Sequence, residues 1–279
     1  MKKRLDVLLV ERGIITSREK AKAAIMSGEV TVDGVVFDKP GMSVSCDAEI
    51  SHKGDKCPYV SRGGLKLEKA IDVFEIDLNS AVCMDIGAST GGFTDCMLKN
   101  GARKVYAIDV GYGQLDYSLR TDERVVNIER CNFRLFENNP ENPIIMDEID
   151  FASIDVSFIS LKHIFPKCAE FLKDGGKVCA LIKPQFEAGR EQVGKNGIVK
   201  DPAVHSVVIQ NVIGYAEESG LSFEKLDFSP IKGGKGNIEY LILLNKGGEI
   251  GYNETSGTIE KVVSEAHKRL DVFYSMEDK

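Results

Sequence analysis

The chain has 279 residues, of which 43% are hydrophobic and 28% charged, a composition typical of a globular protein with a packed core. Its formal net charge of −7 excludes a polycationic protein, so that any nucleic acid must bind to a local basic patch. Seven scattered cysteines without a Cys-x-x-Cys pair argue against a disulfide framework or a zinc site, and no apolar run approaches the roughly 20 residues of a membrane helix.

Residues 1–60 are predicted to form a small separate α+β unit. Apolar residues at helical spacing predict a first helix that stops at Gly13, and Thr16 or Ser17 is expected to cap a second helix. An Asp-Gly pair between apolar runs predicts a β-hairpin at 30–37. The basic start of the chain is only a weak echo of a signal peptide, since its apolar run is short and no cleavage site follows.

Basic residues cluster on and beside these two predicted helices. The unit has ten Lys and Arg against nine Asp and Glu, whereas the rest of the chain is strongly acidic. A solvated helical face would account for this charge as well as an RNA-binding surface would. The residues that we predict to bind RNA are Arg4, Arg12, Arg18, Lys20 and Lys22, together with Arg62 just beyond the unit.

A resemblance to a known family favours the RNA interpretation. The chain reads Arg-Leu-Asp-Val-Leu-Leu-Val-Glu-Arg-Gly from Arg4, then Ser-Arg-Glu-Lys-Ala-Lys, then Ile-Met-Ser-Gly-Glu-Val-Thr-Val-Asp-Gly. This pattern resembles the RNA-binding module named after ribosomal small-subunit protein four. In that family two helices and a hairpin present basic residues to structured RNA, so the resemblance implies that residues 1–60 bind RNA.

From residue 61 onwards strand-like runs alternate with amphipathic segments. This alternation predicts an α/β domain at 61–279 with a doubly wound, Rossmann-like, parallel sheet. The predicted strands are 81–86, 104–110, 125–129, 150–156, 177–183, 222–228 and 239–245. The predicted helices are 63–74, 91–100, 160–173, 202–219 and 256–275.

The first predicted strand of this domain leads into a glycine-rich loop. The loop lacks the G-x-G-x-x-G spacing of dinucleotide-binding enzymes, and an acid before its first glycine would repel a pyrophosphate. The acid suits a cationic ligand such as the aminopropyl end of S-adenosylmethionine. Asp109 closes the second strand, where an acid accepts hydrogen bonds from ribose hydroxyls, and Asn132 follows the third strand, where it is expected to face the adenine. The residues that we predict to bind S-adenosylmethionine are Asp85, Gly87, Ser89, Thr90, Gly91, Gly92, Phe93, Asp109 and Asn132.

Charged residues close two further apolar strands. Asp155 and Lys183 fall at the carboxyl ends of successive predicted strands, the edge at which doubly wound folds place their sites. A lysine acts as a base when burial and a neighbouring cation favour its neutral form. We therefore predict that Lys183 is a general base and that Asp155 orients it.

Residues 58–245 resemble the FtsJ-like ribose 2′-O-methyltransferases, and among them the hemolysin A family, which joins that fold to the same N-terminal RNA module. The family's catalytic signature is a Lys-Asp-Lys-Glu tetrad, which the resemblance assigns to Lys66, Asp155, Lys183 and Glu239. Lys69, one helical turn from Lys66, is an alternative for the first lysine. The resemblance implies a cytoplasmic enzyme that methylates ribosomal RNA at a cytidine, on ribosomal subunits and without a metal or a membrane.

Several alternatives remain open at this point. The glycine-rich basic loops at 185–201 and 232–237 either close over RNA or serve as connectors. The alternatives for the chain as a whole are a non-catalytic RNA-binding assembly factor, a membrane-active hemolysin and, more remotely, a nicotinamide-dependent oxidoreductase. The complete tetrad argues against an assembly factor. The lack of a signal peptide and of a membrane stretch argues against a hemolysin, and the glycine spacing argues against an oxidoreductase.

Overall fold

The computed structural model describes residues 2–33, 35–52, 57–139, 141, 143–233, 236–248 and 255–277. The chain divides into two compact units, Met1–Cys57 and Pro58–Lys279.

The first unit packs two short helices beside two small sheets. Ser17 caps the second helix by accepting a hydrogen bond of 3.3 Å from the Lys20 amide, which selects Ser17 over Thr16. Leu5, Leu9 and Ile25 are buried between the helices and form the centre of its core. Its elements are β1 (Lys2–Arg4), α1 (Leu5–Glu11), α2 (Arg18–Met26), β2 (Val30–Val32), β3 (Val35–Val36), β4 (Ser43–Ser45) and β5 (Ile50–His52).

The second unit alternates strands with helices, as predicted. Its strands are β6 (Val82–Ile86), β7 (Lys104–Ile108), β8 (Val125–Ile128), β9 (Ile149–Ile154), β10 (Leu172–Ile182), β11 (Leu221–Phe228) and β12 (Tyr240–Lys246). Its helices are α3 (Gly63–Phe74), α4 (Gly92–Lys99), α5 (Tyr117–Arg120), α6 (Phe165–Phe171), α7 (Pro184–Glu187), α8 (Pro202–Glu218) and α9 (Thr255–Glu277). Short 3-10 turns lie at Phe133–Leu135, Leu161–His163 and Arg190–Gln192.

The seven strands form one sheet in the order β11-β12-β10-β9-β6-β7-β8. The chain order reverses between β6 and β9, which makes the sheet doubly wound and confirms the predicted fold class. The sheet is not purely parallel, however, because β12 runs antiparallel to both of its neighbours. A short connection, 229–239, joins β11 to β12, and such a connection permits an antiparallel pair, whereas a parallel pair needs a long crossover.

Apolar layers cover both faces of this sheet. Along β10, Ala180 and Ile182 join one buried cluster, while Cys179 and Leu181 join the other, as the two-residue period of a strand requires. Cys83 and Cys179 are buried in these layers with free thiols and serve as small core residues. Within the described ranges no helix is both long and apolar enough to cross a membrane.

Candidate active site

The four side chains of the predicted tetrad meet at one edge of the sheet. Lys183 Nζ lies 2.5 Å from Asp155 Oδ1, in an ion pair rather than an aligned hydrogen bond. Lys66 Nζ lies 3.8 Å from Asp155 Oδ2 and donates a hydrogen bond of 2.7 Å to Glu239 Oε2. The result is a continuous chain of opposite charges in the order Lys183, Asp155, Lys66, Glu239.

The sheet topology explains why these residues converge. Asp155 and Lys183 directly follow the parallel strands β9 and β10, whereas Glu239 directly precedes β12. Because β12 is antiparallel, its amino end lies at the carboxyl edge of the parallel strands, with Tyr240 opposite Ile182. The first turn of α3 adds Lys66 to the same edge.

The charges of the tetrad are largely removed from water. The exposed fractions of Lys66, Lys183 and Glu239 are 9%, 8% and 3%. Burial by itself lowers the pKa of Lys66, but the attraction of Asp155 and Glu239 outweighs it, so that the pKa of Lys66 is raised above its ordinary value. Lys66 is therefore a fixed cation at neutral pH and is unsuited to act as a base.

Lys69, the alternative first lysine, points to different partners. Its Nζ lies 3.0 Å from Asp227 Oδ1, donates a hydrogen bond of 2.6 Å to the Phe228 carbonyl oxygen and covers the Phe228 ring. These contacts tie α3 to β11. The geometry thus favours Lys66 over Lys69 as the tetrad lysine.

A cavity of about 200 Å³ opens beside the tetrad. Asp155, Ser157 and Lys183 line one side of it. The other side comes from the glycine-rich loop and includes five of the predicted cofactor residues, Gly87, Ser89, Thr90, Gly92 and Phe93. The predicted cofactor loop and the predicted base therefore face the same space. Gly91 is buried at the start of α4 and is not part of the lining.

Gly87 permits the close approach of the loop to the tetrad. Its φ of +88° is left-handed, and a Cβ at this position would lie 2.6 Å from the carbonyl oxygen of Asp155. The Asp155 amide in turn donates a hydrogen bond of 3.0 Å to the Ile86 carbonyl. The loop and Asp155 are thus held together through the backbone.

Asp109 lies in an adjoining cleft, which shares Ala88 and Ser89 with the cavity. Its two carboxylate oxygens accept hydrogen bonds of 2.8 Å from the Ser89 amide and 2.6 Å from the Gly111 amide. The carboxylate is half-buried and fixed in place. Asn132 is exposed and is not among the residues that line the cavity or this cleft, although the Cys131 amide directly before it donates a hydrogen bond of 3.0 Å to the Asp109 carbonyl.

Asp85 does not face the cavity. Its side chain is fully buried behind the loop, where it accepts hydrogen bonds of 2.6 Å from Thr94 Oγ1 and 3.0 Å from Ser153 Oγ. Burial raises the pKa of Asp85 to about 6, although both hydrogen bonds act in the opposite direction. This geometry does not support direct contact between its carboxylate and the cationic end of a cofactor; Asp85 instead ties α4 to β9.

Two residues beside the tetrad were not predicted from the sequence. Ser157 Oγ accepts a hydrogen bond of 3.0 Å from Lys183 Nζ. Phe158 is 89% exposed with a left-handed φ of 64°, and its ring centroid lies 4.9 Å from that of Phe186. Both residues closely follow Asp155 at the end of β9, and this position was the sequence signal that could have identified them as site residues.

The glycine-rich loop at 185–201 is attached to the segment before Glu239. Asn237, only 2% exposed, donates to the Gly197 carbonyl at 2.8 Å and accepts from the Val199 amide at 3.0 Å. His205 Nε2 lies 3.0 Å from the Val199 carbonyl, to which it donates. The loop is thus an anchored segment. In the second basic loop, Gly234 and Lys235 lie outside the described residues.

Two of the predicted RNA-binding arginines share one carboxylate. Asp6 is fully buried and lies 2.9 Å from Arg4 Nε and 3.0 Å from Arg18 Nε. The hydrogen bond from Arg4 lowers the pKa of Asp6 to about 2, with Arg18 acting in the same direction and burial opposing both. Both guanidinium groups remain about half exposed and are held side by side.

The other predicted RNA-binding residues differ in the contacts that their side chains make within the protein. Arg12 donates 2.8 Å from Nη1 to the Ala48 carbonyl and also contacts the Cys46 carbonyl, so its guanidinium holds α1 to the chain beyond β4. Lys20 and Lys22 are exposed, and within the part of the unit that the structure describes neither forms an ion pair. Arg62, in the second unit, is exposed just before α3.

Metal ligation was not expected from the sequence. Among the described residues, no group of three or more His, Cys, Asp or Glu side chains is arranged to hold a metal ion.

Comparisons with known proteins give matches for both units. Residues 59–246 match the model of the FtsJ-like methyltransferases, and residues 3–50 match that of the S4 domain. A Bacillus subtilis protein provisionally named rRNA methyltransferase YqxC is 52% identical over 96% of this chain and 95% of its own length. The Mycobacterium tuberculosis protein named 16S/23S rRNA (cytidine-2′-O)-methyltransferase TlyA is 40% identical over 86% of this chain and 89% of its own. A solved structure from Streptococcus thermophilus, provisionally described as a hemolysin, matches with a TM-score of 0.77 and 48% identity over 100% of this chain and 99% of its own.

Proposed function

The chain belongs to the FtsJ-like methyltransferase family and is a methyltransferase, and from this premise we propose that it methylates the ribose 2′-hydroxyl of a cytidine in ribosomal RNA. We propose S-adenosylmethionine as the methyl donor. The observation that carries the proposal is the continuous charge chain Lys183, Asp155, Lys66 and Glu239, which borders the same cavity as the glycine-rich loop.

The cleft and the cavity fit the two ends of the proposed donor. Asp109 presents a fixed carboxylate that can accept hydrogen bonds from a ribose diol. The proposed ligand would extend from the cleft into the cavity past Ala88 and Ser89, which line both. When bound, S-adenosylmethionine supplies an electrophilic methyl group on a sulfonium. At Gly87 and Gly92 a Cβ would collide with the Asp155 carbonyl oxygen and with Ser61 Oγ, so these glycines let the loop pack closely against the other residues that line the cavity.

Residues of the tetrad take distinct parts in this proposal. A ribose hydroxyl must lose its proton as the methyl group is transferred, and the neutral amine form of Lys183, on the cavity wall, is proposed to accept it. Lys66 remains a cation, so it contributes a fixed positive charge next to Asp155 and takes no part in the proton transfer. Asp155 contacts both lysines and fixes their positions, while Glu239 holds Lys66.

Two further features support RNA as the acceptor. Phe158 presents an exposed aromatic face beside the cavity, and proteins that recognise unpaired RNA bases commonly stack them on such rings. The S4 domain supplies exposed cations, among them Lys20 and Lys22, for contact with phosphates. The proposed partner is a ribosomal subunit, and the proposed place of action is the cytoplasm.

The test is transfer of a labelled methyl group from S-adenosylmethionine to purified ribosomal subunits that lack the modification, followed by mapping of ribose methylation. We expect one or a few methylated cytidines. Lys183→Ala should reduce the rate by about 10²-fold or more, as loss of a general base does, while calorimetry finds unchanged binding of S-adenosylmethionine. Methylation of a base or a protein would overturn the proposal, and subunit binding without transfer by the wild type would favour the assembly-factor alternative.

A further inference from the structure

The two segments that follow β9 and β10 are joined along their whole length. At the cavity end, Lys183 contacts Asp155 and Ser157. In the middle, the rings of Phe158 and Phe186 pack against each other. At the far end, the carboxylate of Glu187 closes the connection by binding residues 160–161.

Glu187 makes this last contact with both of its oxygens. Its Oε2 accepts a hydrogen bond of 2.6 Å from Ser160 Oγ, and its Oε1 accepts one of 2.8 Å from the Leu161 amide. Burial raises the pKa of Glu187 above its ordinary value, against the effect of these hydrogen bonds. Within the described residues no cation forms an ion pair with Glu187. The hydrogen bonds that its carboxylate accepts come from the Ser160 hydroxyl and the Leu161 amide.

The segment held in this way is under backbone strain. Phe158 adopts a left-handed φ of 64°, which is uncommon for a bulky residue, and its side chain is almost fully exposed. Such conformations persist only where the surroundings enforce them. Upstream, Asp155 is fixed by two lysines and by the hydrogen bond from its amide to the Ile86 carbonyl. Downstream, Ile159 packs against the core and Ser160 donates a hydrogen bond to Glu187.

We propose that Glu187 is a positioning residue for the methyl-transfer site. It acts through Ser160 and Leu161 to hold Ser157, on the cavity wall, against Lys183 and to keep the adjacent Phe158 in its exposed position. The inference has a structural part, the position of residues 157–158, and a kinetic part, the rate of methyl transfer. The kinetic part rests on the proposed function, whereas the structural part does not. If Glu187 were only a stability element, its loss would lower thermal stability and leave the segment at 157–158 and the kinetic constants unchanged.

A tryptophan reporter tests the structural part without any assumption about activity. The chain contains no tryptophan, so Phe158→Trp introduces a single tryptophan, which can be excited selectively at the red edge of the tyrosine absorption band. In this background, Glu187→Ala should lower the fluorescence anisotropy and raise the rate of acrylamide quenching. Glu187→Gln retains a carbonyl oxygen for the Leu161 amide and should restore most of both signals.

The kinetic part uses the full chain with Phe158 intact, ribosomal subunits and labelled S-adenosylmethionine. Glu187→Ala should lower kcat by about tenfold or more, since small displacements of reacting groups carry large rate penalties, while the KM for S-adenosylmethionine changes less than about twofold. Glu187→Gln should recover most of the rate. Glu191→Ala removes a carboxylate from an exposed position four residues away and should behave as wild type.

The outcomes separate the two proposals. Unchanged anisotropy in Glu187→Ala overturns the positioning role, as does a normal kcat in that variant. If the wild type transfers no methyl group to the subunits but the anisotropy falls as expected, the proposed function fails while the structural role of Glu187 stands.

Discussion

Lys66 Nζ lies 2.7 Å from Glu239 Oε2, although 173 positions separate the two residues along the chain. Lys66 belongs to the first helix of the second unit, and Glu239 directly precedes its last strand. The pair therefore joins the two ends of the methyltransferase sequence across the edge of the sheet. Because both side chains are almost fully buried, neither charge can lose its partner without cost.

Replacement of Lys66 separates its chemical role from its structural one. Lys66→Met leaves Glu239 as an unpaired buried charge and should cost about 3–5 kcal/mol of unfolding free energy as well as activity. The double variant Lys66→Met/Glu239→Gln should regain most of the stability in urea denaturation but no methyl transfer. Lys69→Met, which loses contacts to Asp227 and Phe228 only, should keep its activity. An active double variant would contradict the role proposed for Lys66.

Asp85 should make stability depend on pH. Its pKa of about 6 in the folded chain exceeds the ordinary value of 3.8, so the folded state binds more protons than the unfolded state between these values. The free energy of unfolding should therefore fall as the pH rises from about 4 to about 6, by up to about 3 kcal/mol. Asp85→Asn should flatten this slope in denaturation curves, whereas Asp174→Asn, at an exposed position, should not. Equal slopes in wild type and Asp85→Asn would contradict the assignment.

Asn237 should control the order of the neighbouring glycine-rich loop. Asn237→Ala leaves the buried Val199 amide and the half-buried Gly197 carbonyl without their partner, and an unsatisfied buried group such as the Val199 amide costs about 1–3 kcal/mol. Amide hydrogen exchange near residues 197–199 should accelerate more than exchange in β6. Asn237→Asp keeps the acceptor for Val199 and should give an intermediate rate, while exchange that rises equally everywhere would indicate global destabilisation alone.

The exposed lysines of the S4 domain should contribute salt-dependent affinity. Lys20→Ala/Lys22→Ala removes two cations without breaking an ion pair described in the structure, so folding should be unaffected. Binding to ribosomal subunits should weaken, and the slope of log affinity against log salt should become shallower by about two. Arg12→Ala should instead destabilise the unit through loss of its carbonyl contacts. An unchanged salt slope would remove Lys20 and Lys22 from the RNA interface.

The sequence was sufficient for the fold class and for the placement of Asp155 and Lys183 at one edge of the sheet, whereas Glu239 reaches that edge only because β12 is antiparallel. Both family resemblances are confirmed by the matches to residues 59–246 and 3–50. Six of the seven strands of the large sheet lie within two residues of the predicted bounds. Apolar runs that end in Asp155 or Lys183 predict the edge of a sheet because parallel strands share their carboxyl edge.

The direction of a strand and the side of it on which a residue lies were harder to predict from the sequence. The antiparallel direction of β12 was not predicted, although the shortness of the connection at 229–239 was the available signal for it. The loop motif likewise does not reveal which side of β6 carries Asp85, and its burial depends on Thr94 and Ser153 in other elements. Glu187 gave no signal at all, because its partners Ser160 and Leu161 reach it only through the packing of two strands.

The position of β12 between β10 and β11 also bears on the order in which the protein is made. Both neighbours precede β12 in the chain, so the place between them in the sheet is filled only by insertion of the strand that is synthesised last. Until that insertion occurs, Glu239 is absent from the sheet edge and Lys66 lacks its nearest counterion. The charge chain is therefore assembled last, and a newly synthesised molecule acquires its complete site only when this final strand is in place.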